Sequence, residues 1–261
     1  MRGPLTELEV ASFQLNGFVA ISHFLDEDEL RHWREVADQV DRDAAPGTNV
    51  RGENISDADP DVAALWRDGR IGRLVGQLGG FDGVRHLRDQ VSYVPPGHEA
   101  TPWHCNMHES WPVDTADAVV VYVALDDYRW NNKSLVFIPG SHEIMPLGVR
   151  TVRPSKRGGK FADMLNEYPA LREIEPVLVE GAAGLAVFYN ALSVHGSAPN
   201  MTTRARRMAS ASFVPDGTVA NGLPRHPNVD GRSKPKPLRC AGEPLTDEDA
   251  PVVWKRADWP A

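Results

Sequence analysis

The sequence predicts a mainly β fold with flanking helices, its core two facing sheets closed into a double-stranded barrel of the jelly-roll kind. Three observations carry this. From residue 84 onward, short runs rich in β-branched residues alternate with Gly and Pro punctuation, the pattern of a sandwich or barrel. Within them, Ala118 to Leu125 is apolar or aromatic at every position, as for a strand covered on both faces. Helical periodicity is confined to the first 80 residues. At 261 residues one large domain is favoured over two small ones. The chain reads as a single domain over 1–261, with a helical part at 1–80, a β core at 84–215 and a wrapping tail at 216–261.

Each element has a local reason. Thr6 and Glu9 form a capping box, two orphan helix donors satisfied reciprocally. Asn16-Gly17 stops that helix, and Phe18 to Leu25 reads as a short strand. Asp26 caps a helix running to about Asp43, with Leu30, Trp33, Ala37 and Val40 on one face. A third helix spans about Asp59 to Leu78, ended by Gly79-Gly80. The strands follow: Val84 to Val94, Ala118 to Leu125, Leu135 to Ile138, Ile174 to Val179, Leu185 to Tyr189 and Met208 to Val214. Ser155 to Tyr168 is polar and reads as a loop or short helix over one mouth of the barrel. From Gly217 the chain is rich in Pro and charge, a segment without its own core.

Composition excludes several classes. With 28 Lys+Arg against 36 Asp+Glu the net charge is −8. A sequence-independent nucleic-acid binder needs a basic face to neutralise phosphates, so no nucleic-acid partner is expected. No apolar run is long enough to span a bilayer, and Met1 to Glu9 does not read as a secretory signal. Cys105 and Cys240 are too few for a disulfide framework. Free thiols and a cytoplasmic location are the expectation.

Two of the nine histidines stand in contexts that carry chemistry. His104 lies in Thr101-Pro102-Trp103-His104-Cys105-Asn106, and His195 in Ser193-Val194-His195-Gly196-Ser197. Both sit at edges of expected strands. An iron(II) facial triad in a barrel takes one His and a carboxylate two residues apart, so that both leave the same face of a strand. A second His comes from a distant strand, leaving positions for co-substrate and oxygen. Arg206 follows His195 by eleven residues and opens the next strand. If the chain turns through Pro199 to Thr202, Arg206 returns beside His195, where a guanidinium can clamp a carboxylate and Ser197 can add a hydroxyl. The alternative is that Arg206 belongs to a solvated basic cluster with Arg204 and Arg207.

Three segments together resemble the phytanoyl-CoA dioxygenase family of iron- and 2-oxoglutarate-dependent oxygenases. Thr101-Pro102-Trp103-His104 resembles the approach to the first metal ligand. Asn131-Asn132-Lys133-Ser134-Leu135-Val136-Phe137-Ile138-Pro139-Gly140-Ser141-His142 resembles the family's Asn-Gly-x-Leu to Pro-Gly-Ser-His segment. His195-Gly196-Ser197-Ala198-Pro199-Asn200 through Arg206 resembles its second ligand, turn and co-substrate arginine. Gly242 to Asp249 is similar to a tail common in bacterial members. The resemblance implies a cupin-like jelly roll using Fe(II), 2-oxoglutarate and O2. His104 and His195 would bind iron, and Arg206 and Ser197 would hold the distal carboxylate of 2-oxoglutarate. Tyr122 would lie beside that co-substrate, with Gln90 a polar position on its strand. His142 would hold a turn of the barrel.

One departure matters most. The family has His-x-Asp; this chain has His104-Cys105-Asn106. The Asn amide oxygen is a poorer ligand for a hard cation, and the site loses one negative charge. Four readings are open. Asn106 ligates through its oxygen; it leaves a vacancy for water or halide, as in halogenating relatives that place Gly or Ala there; His108 or Glu109 replaces it; or the site is attenuated, naturally or by an engineered change. A second departure is Val94, where many members carry a Lys. Cys105 beside the metal is an oxidation liability. Trp103, Trp111 and Trp130 form either an apolar rim or core packing, and His98 and His108 either line a mouth or are exposed. Arg153, Lys156, Arg157 and Lys160 read as a solvated loop face or a contact for an anionic substrate.

The leading expectation is an oxygenase that oxidises, most simply hydroxylates, a small molecule. Contrasting it are an attenuated small-molecule-binding protein on the same fold, a halogenase-type variant, and an isomerase or hydrolase with another metal, which has no need of Arg206.

Overall fold

The computed structural model describes residues 3–42, 51–106, 111–113, 115–145, 162–223 and 239–258. Helix α1 (Glu7–Asn16) starts at the expected capping box and stops at Gly17, whose φ of 78° suits a residue without Cβ. Strand β1 is Phe18–Ile21, shorter than the sequence predicts. His23 takes a positive φ of 53°, which turns the chain before Leu25. Helix α2 is Glu27–Arg42 and β2 is Arg51–Glu53. The single helix expected over Asp59 to Leu78 is two, α3 (Pro60–Trp66) and α4 (Gly69–Gly79). Asp68 divides them, because its carboxylate accepts the Arg70 N–H and starts a new helix.

The strands that follow are β3 (Gly83–Val94), β4 (Thr101–His104), β5 (Val119–Ala124) and β6 (Leu135–Phe137). Short helices α5 (Ser141–Ile144) and α6 (Ala162–Glu167) precede β7 (Val177–Leu178), β8 (Ala186–Asn190), β9 (His195–Ser197) and β10 (Arg206–Pro215). The large sheet runs β1-β8-β5-β10-β3, and the tail adds β11 (Val252–Lys255) at its edge. The small sheet runs β4-β9-β6-β7. The tail therefore does more than wrap. Trp254 of β11 lies against α4, where a Cβ on Gly76 would collide with its indole ring.

The large sheet is buried on both faces. On one, Val120, Tyr122, Val187, Tyr189 and Met208 meet Leu135 and Phe137 of the small sheet. On the other, Val121, Val123, Phe188 and Phe213 meet Val62, Trp66, Ile71 and Leu74 of the helices. This explains why β5 has no polar alternation. Trp66, fully buried, stands edge-on to Trp33 at 4.7 Å and to Phe213 at 6.4 Å. Trp66→Ala removes a fully buried indole from this layer and lowers unfolding free energy by about 3–5 kcal/mol, read from the denaturant midpoint. No helix among the described residues is long and apolar enough to cross a membrane.

Candidate active site

His104 and His195 are register partners across the antiparallel β4–β9 pair. Their ring centroids lie 4.3 Å apart, with planes inclined by 47°. Each Nδ1 rests on a backbone carbonyl, His104 on Pro102 at 2.8 Å and His195 on Ser193 at 2.9 Å. A carbonyl only accepts, so each Nδ1 carries a proton and, in the neutral ring, the lone pair is on Nε2. His195 is 2% exposed. Burial first, then the neighbouring His104, holds its pKa well below the ordinary histidine value, so this ring is neutral. Two imidazoles on paired strands, each anchored through Nδ1, are candidates to hold one cation together.

Asn106 lies just past β4. Its backbone N–H donates to the Ala191 carbonyl at 2.9 Å, and its Nδ2 donates to the Tyr189 hydroxyl at 3.1 Å. With Nδ2 so engaged, Oδ1 is the atom that the carboxamide can offer to a metal. The Tyr189 ring stands edge-on to His195 at 4.8 Å, tying Asn106 to that histidine. Among the described residues no group of three His, Cys, Asp or Glu side chains could hold a metal ion. His108 and Glu109 lie outside the described residues, as do Arg153, Lys156, Arg157 and Lys160. Cys105 is buried among the apolar side chains between the sheets, whereas Cys240 is exposed; neither is in a disulfide.

Arg206 is 2% exposed and projects between the sheets, not into a solvated cluster. Alternation along β10 separates it from Arg207, which leaves the other face and pairs with Asp126 at 2.7 Å and Asp38 at 3.1 Å. Arg206 Nη2 donates to the Tyr122 hydroxyl at 2.9 Å and to the Lys133 carbonyl at 3.2 Å. Its guanidinium carbon lies 4.6 Å from the Tyr128 ring centroid. Among the described residues, Arg206 Nε, Arg206 Nη1 and the Tyr128 hydroxyl are buried without a hydrogen-bond partner. Unmet donors on a buried cation are costly. A carboxylate answers them, accepting from the guanidinium and from the phenol together.

The other expected residues fall around this axis. Gln90 shares a cross-strand row with Ser210 and Tyr122, and its Nε2 donates to Ser92 Oγ at 2.7 Å. Ser197 Oγ accepts the Thr101 N–H at 3.2 Å, which leaves its own proton to donate. Trp111 is buried and Trp103 packs against the barrel core, but Trp130 is 57% exposed and forms no rim. His142 Nε2 contacts the Gln14 carbonyl at 3.1 Å, joining α5 to α1. His98 contacts the Glu99 carbonyl at 3.0 Å. Tyr128 and Tyr189 escape sequence reading. Tyr189 ends an apolar strand and Tyr128 sits between Asp127 and Arg129, with no spacing to mark either.

The family model for phytanoyl-CoA dioxygenase (PhyH) matches residues 13–208. The chain belongs to this family. Among curated relatives, the ectoine dioxygenase of Streptomyces avermitilis is 26% identical over 251 residues, covering 84% of this chain and 81% of the relative. A probable alpha-ketoglutarate-dependent hypophosphite dioxygenase of Stutzerimonas stutzeri is 26% identical over 159 residues, covering 59% and 52%. Among solved structures, the non-heme alpha ketoglutarate dependent epimerase SnoN from nogalamycin biosynthesis superposes with a TM-score of 0.75 at 20% identity, covering 95% and 97%. EctD from S. alaskensis with 2-oxoglutarate and 5-hydroxyectoine gives 0.70 at 21% identity, covering 94% and 86%. These two likenesses establish the jelly-roll fold of this PhyH chain.

Proposed function

We propose that this PhyH chain is an Fe(II)- and 2-oxoglutarate-dependent oxygenase that hydroxylates a small molecule in the cytoplasm. The observation that carries the reading is the buried Arg206, whose Nε and Nη1, with the Tyr128 hydroxyl, lack a hydrogen-bond partner among the described residues, in the same core on which His195 packs through Phe137 and Tyr189. His104, His195 and Asn106 Oδ1 would hold the metal, and Arg206, Tyr128 and Ser197 the distal carboxylate of 2-oxoglutarate. Bound iron would activate O2 with 2-oxoglutarate as co-reductant, one oxygen atom ending in the hydroxylated substrate and the other in succinate, with carbon dioxide released. The chain contributes geometry. The Pro102 and Ser193 carbonyls fix the imidazole tautomers, Tyr189 orients the Asn106 amide, and Phe137, Val187 and Met208 exclude water.

The test is succinate release from 2-oxoglutarate with iron, oxygen and a panel of small molecules. Stimulated release by wild-type protein supports the reading. Absence of release, with 2-oxoglutarate binding retained, favours the second reading that Asn106 motivates, a small-molecule-binding protein whose metal site is attenuated. Chloride incorporation would support a halogenase, but the Asn106 side chain fills space that Gly or Ala would leave open.

A further inference from the structure

The end of the large sheet at which Arg206 stands is closed by a side chain that the oxygenase reading does not use. The β3–β10 ladder stops at Val94, with Arg206 as its last partner. It stops because Pro95 and Pro96 follow, and proline has no N–H to carry a ladder further. Carbonyls are left there without strand donors. Asn200, fully buried in the turn between β9 and β10, supplies the donors. Its Nδ2 donates to the Val94 carbonyl at 3.0 Å, the Pro95 carbonyl at 3.1 Å and the Arg204 carbonyl at 3.0 Å. Its Oδ1 accepts from the Thr202 N–H at 3.2 Å and from the Thr202 hydroxyl at 2.7 Å.

The backbone of Asn200 reaches two further segments. Its N–H donates to the His98 carbonyl at 2.9 Å, and its carbonyl accepts from the Gly97 N–H at 2.8 Å. Asn200 also pairs with Asn132 in an isolated bridge, and the next N–H, of Met201, donates to the Asn131 carbonyl at 2.8 Å. Lys133 follows Asn132, and its carbonyl is the one that accepts from Arg206 Nη2. Three segments that fix Arg206 therefore meet on Asn200. They are the end of β3 that pairs with it, the Arg204 carbonyl two residues before it, and the turn that brings its carbonyl acceptor. Truncating the carboxamide takes the donor from three carbonyls at this junction, where burial makes an unmet acceptor costly. The turn then has to shift to reach water, and the shift passes to Arg206. A displacement of about 1 Å at a positioned group can cost about a hundredfold.

We propose that Asn200 is a positioning residue for the co-substrate, aiming Arg206 at the distal carboxylate of 2-oxoglutarate without touching it. This rests on the oxygenase reading and deepens it. The test compares 2-oxoglutarate with 2-oxobutyrate, a keto acid that lacks the distal carboxylate, by calorimetry on Fe(II)-loaded protein under argon. Wild-type protein should prefer 2-oxoglutarate by at least about a hundredfold, the scale of two charge-assisted hydrogen bonds. Asn200→Ala should lower that preference by about tenfold or more, with the affinities for 2-oxobutyrate and Fe(II) unchanged. In an Arg206→Met background the same change should have no further effect, because Asn200 acts through the guanidinium. Thr202→Val takes the hydroxyl donor from Asn200 Oδ1 and should shift the preference in the same direction by a smaller factor. It decides the matter if Asn200→Ala does not fold, and an unchanged preference in Thr202→Val then overturns the proposal. So does a wild-type preference in folded Asn200→Ala, a loss shared equally by both keto acids, or an effect that persists in Arg206→Met. Failure of 2-oxoglutarate to bind wild-type protein would instead bring down the oxygenase reading, and the role of Asn200 with it.

Discussion

Arg206→Met removes 2-oxoglutarate binding while leaving the metal-free protein as stable as wild type or more so. The two halves have one cause. Arg206 is a buried cation whose Nε and Nη1 have no partner among the described residues, and removing a buried charge with unmet donors relieves a desolvation cost that offsets the lost bonds to Tyr122 and Lys133. The same unmet donors hold the co-substrate carboxylate, and charge-assisted hydrogen bonds are worth about 1.5–3 kcal/mol each. Losing two weakens 2-oxoglutarate by at least about a hundredfold. Calorimetry reads the first effect. In thermal melts wild type should gain Tm on adding 2-oxoglutarate with metal, and the variant should gain none. A variant that melts far below wild type would show that Arg206 holds the barrel together.

The second large effect is expected at Asn106. Asn106→Asp restores a negative charge beside two neutral imidazoles and should tighten divalent metal binding by about tenfold or more, since even residues supporting the ligands change affinity by 10–100-fold. Tyr189 must then reverse its role. In the native chain its hydroxyl accepts from Nδ2, whereas toward a carboxylate it can only donate. Tyr189→Phe should therefore weaken metal binding in both backgrounds, by freeing the Asn amide to rotate in one and removing a donor in the other. If Asn106 is a degraded aspartate, substrate-independent turnover of 2-oxoglutarate also rises in Asn106→Asp. If an open position serves the native reaction, that reaction disappears while metal binding holds, and chloride perturbs the metal spectrum of the native protein alone. Unchanged metal affinity in Asn106→Asp would place residue 106 outside the coordination sphere.

The β core was readable because its signals are local. The apolar run of β5 reports burial on both faces, and Pro95-Pro96-Gly97 marks the end of β3. Boundaries set by tertiary contacts were less visible. The division of α3 from α4 depends on the Asp68 cap, and β11 depends on glycines in α4 that admit Trp254. At the site, His104, His195 and Arg206 stood out through the family resemblance of their segments, spacing alone being a weak signal. Whether Arg206 joined Arg204 and Arg207 in solvent was decided by strand alternation, which sends Arg207 to Asp126 and Asp38 and Arg206 inward. Tyr128 was illegible because it sits between charged residues and meets Arg206 only after folding, in a bridge to Gly181 outside the main strands.

The central claim is that one interior face carries both a metal site at His104 and His195 and a carboxylate site at Arg206. Anaerobic addition of Fe(II) and 2-oxoglutarate tests it most directly. A weak visible charge-transfer band, seen only when the keto acid chelates the iron, should appear in wild-type protein and be absent in His195→Ala and Arg206→Met. Fe(II) and 2-oxoglutarate that bind without producing the band, or a band that persists in both variants, would contradict the account.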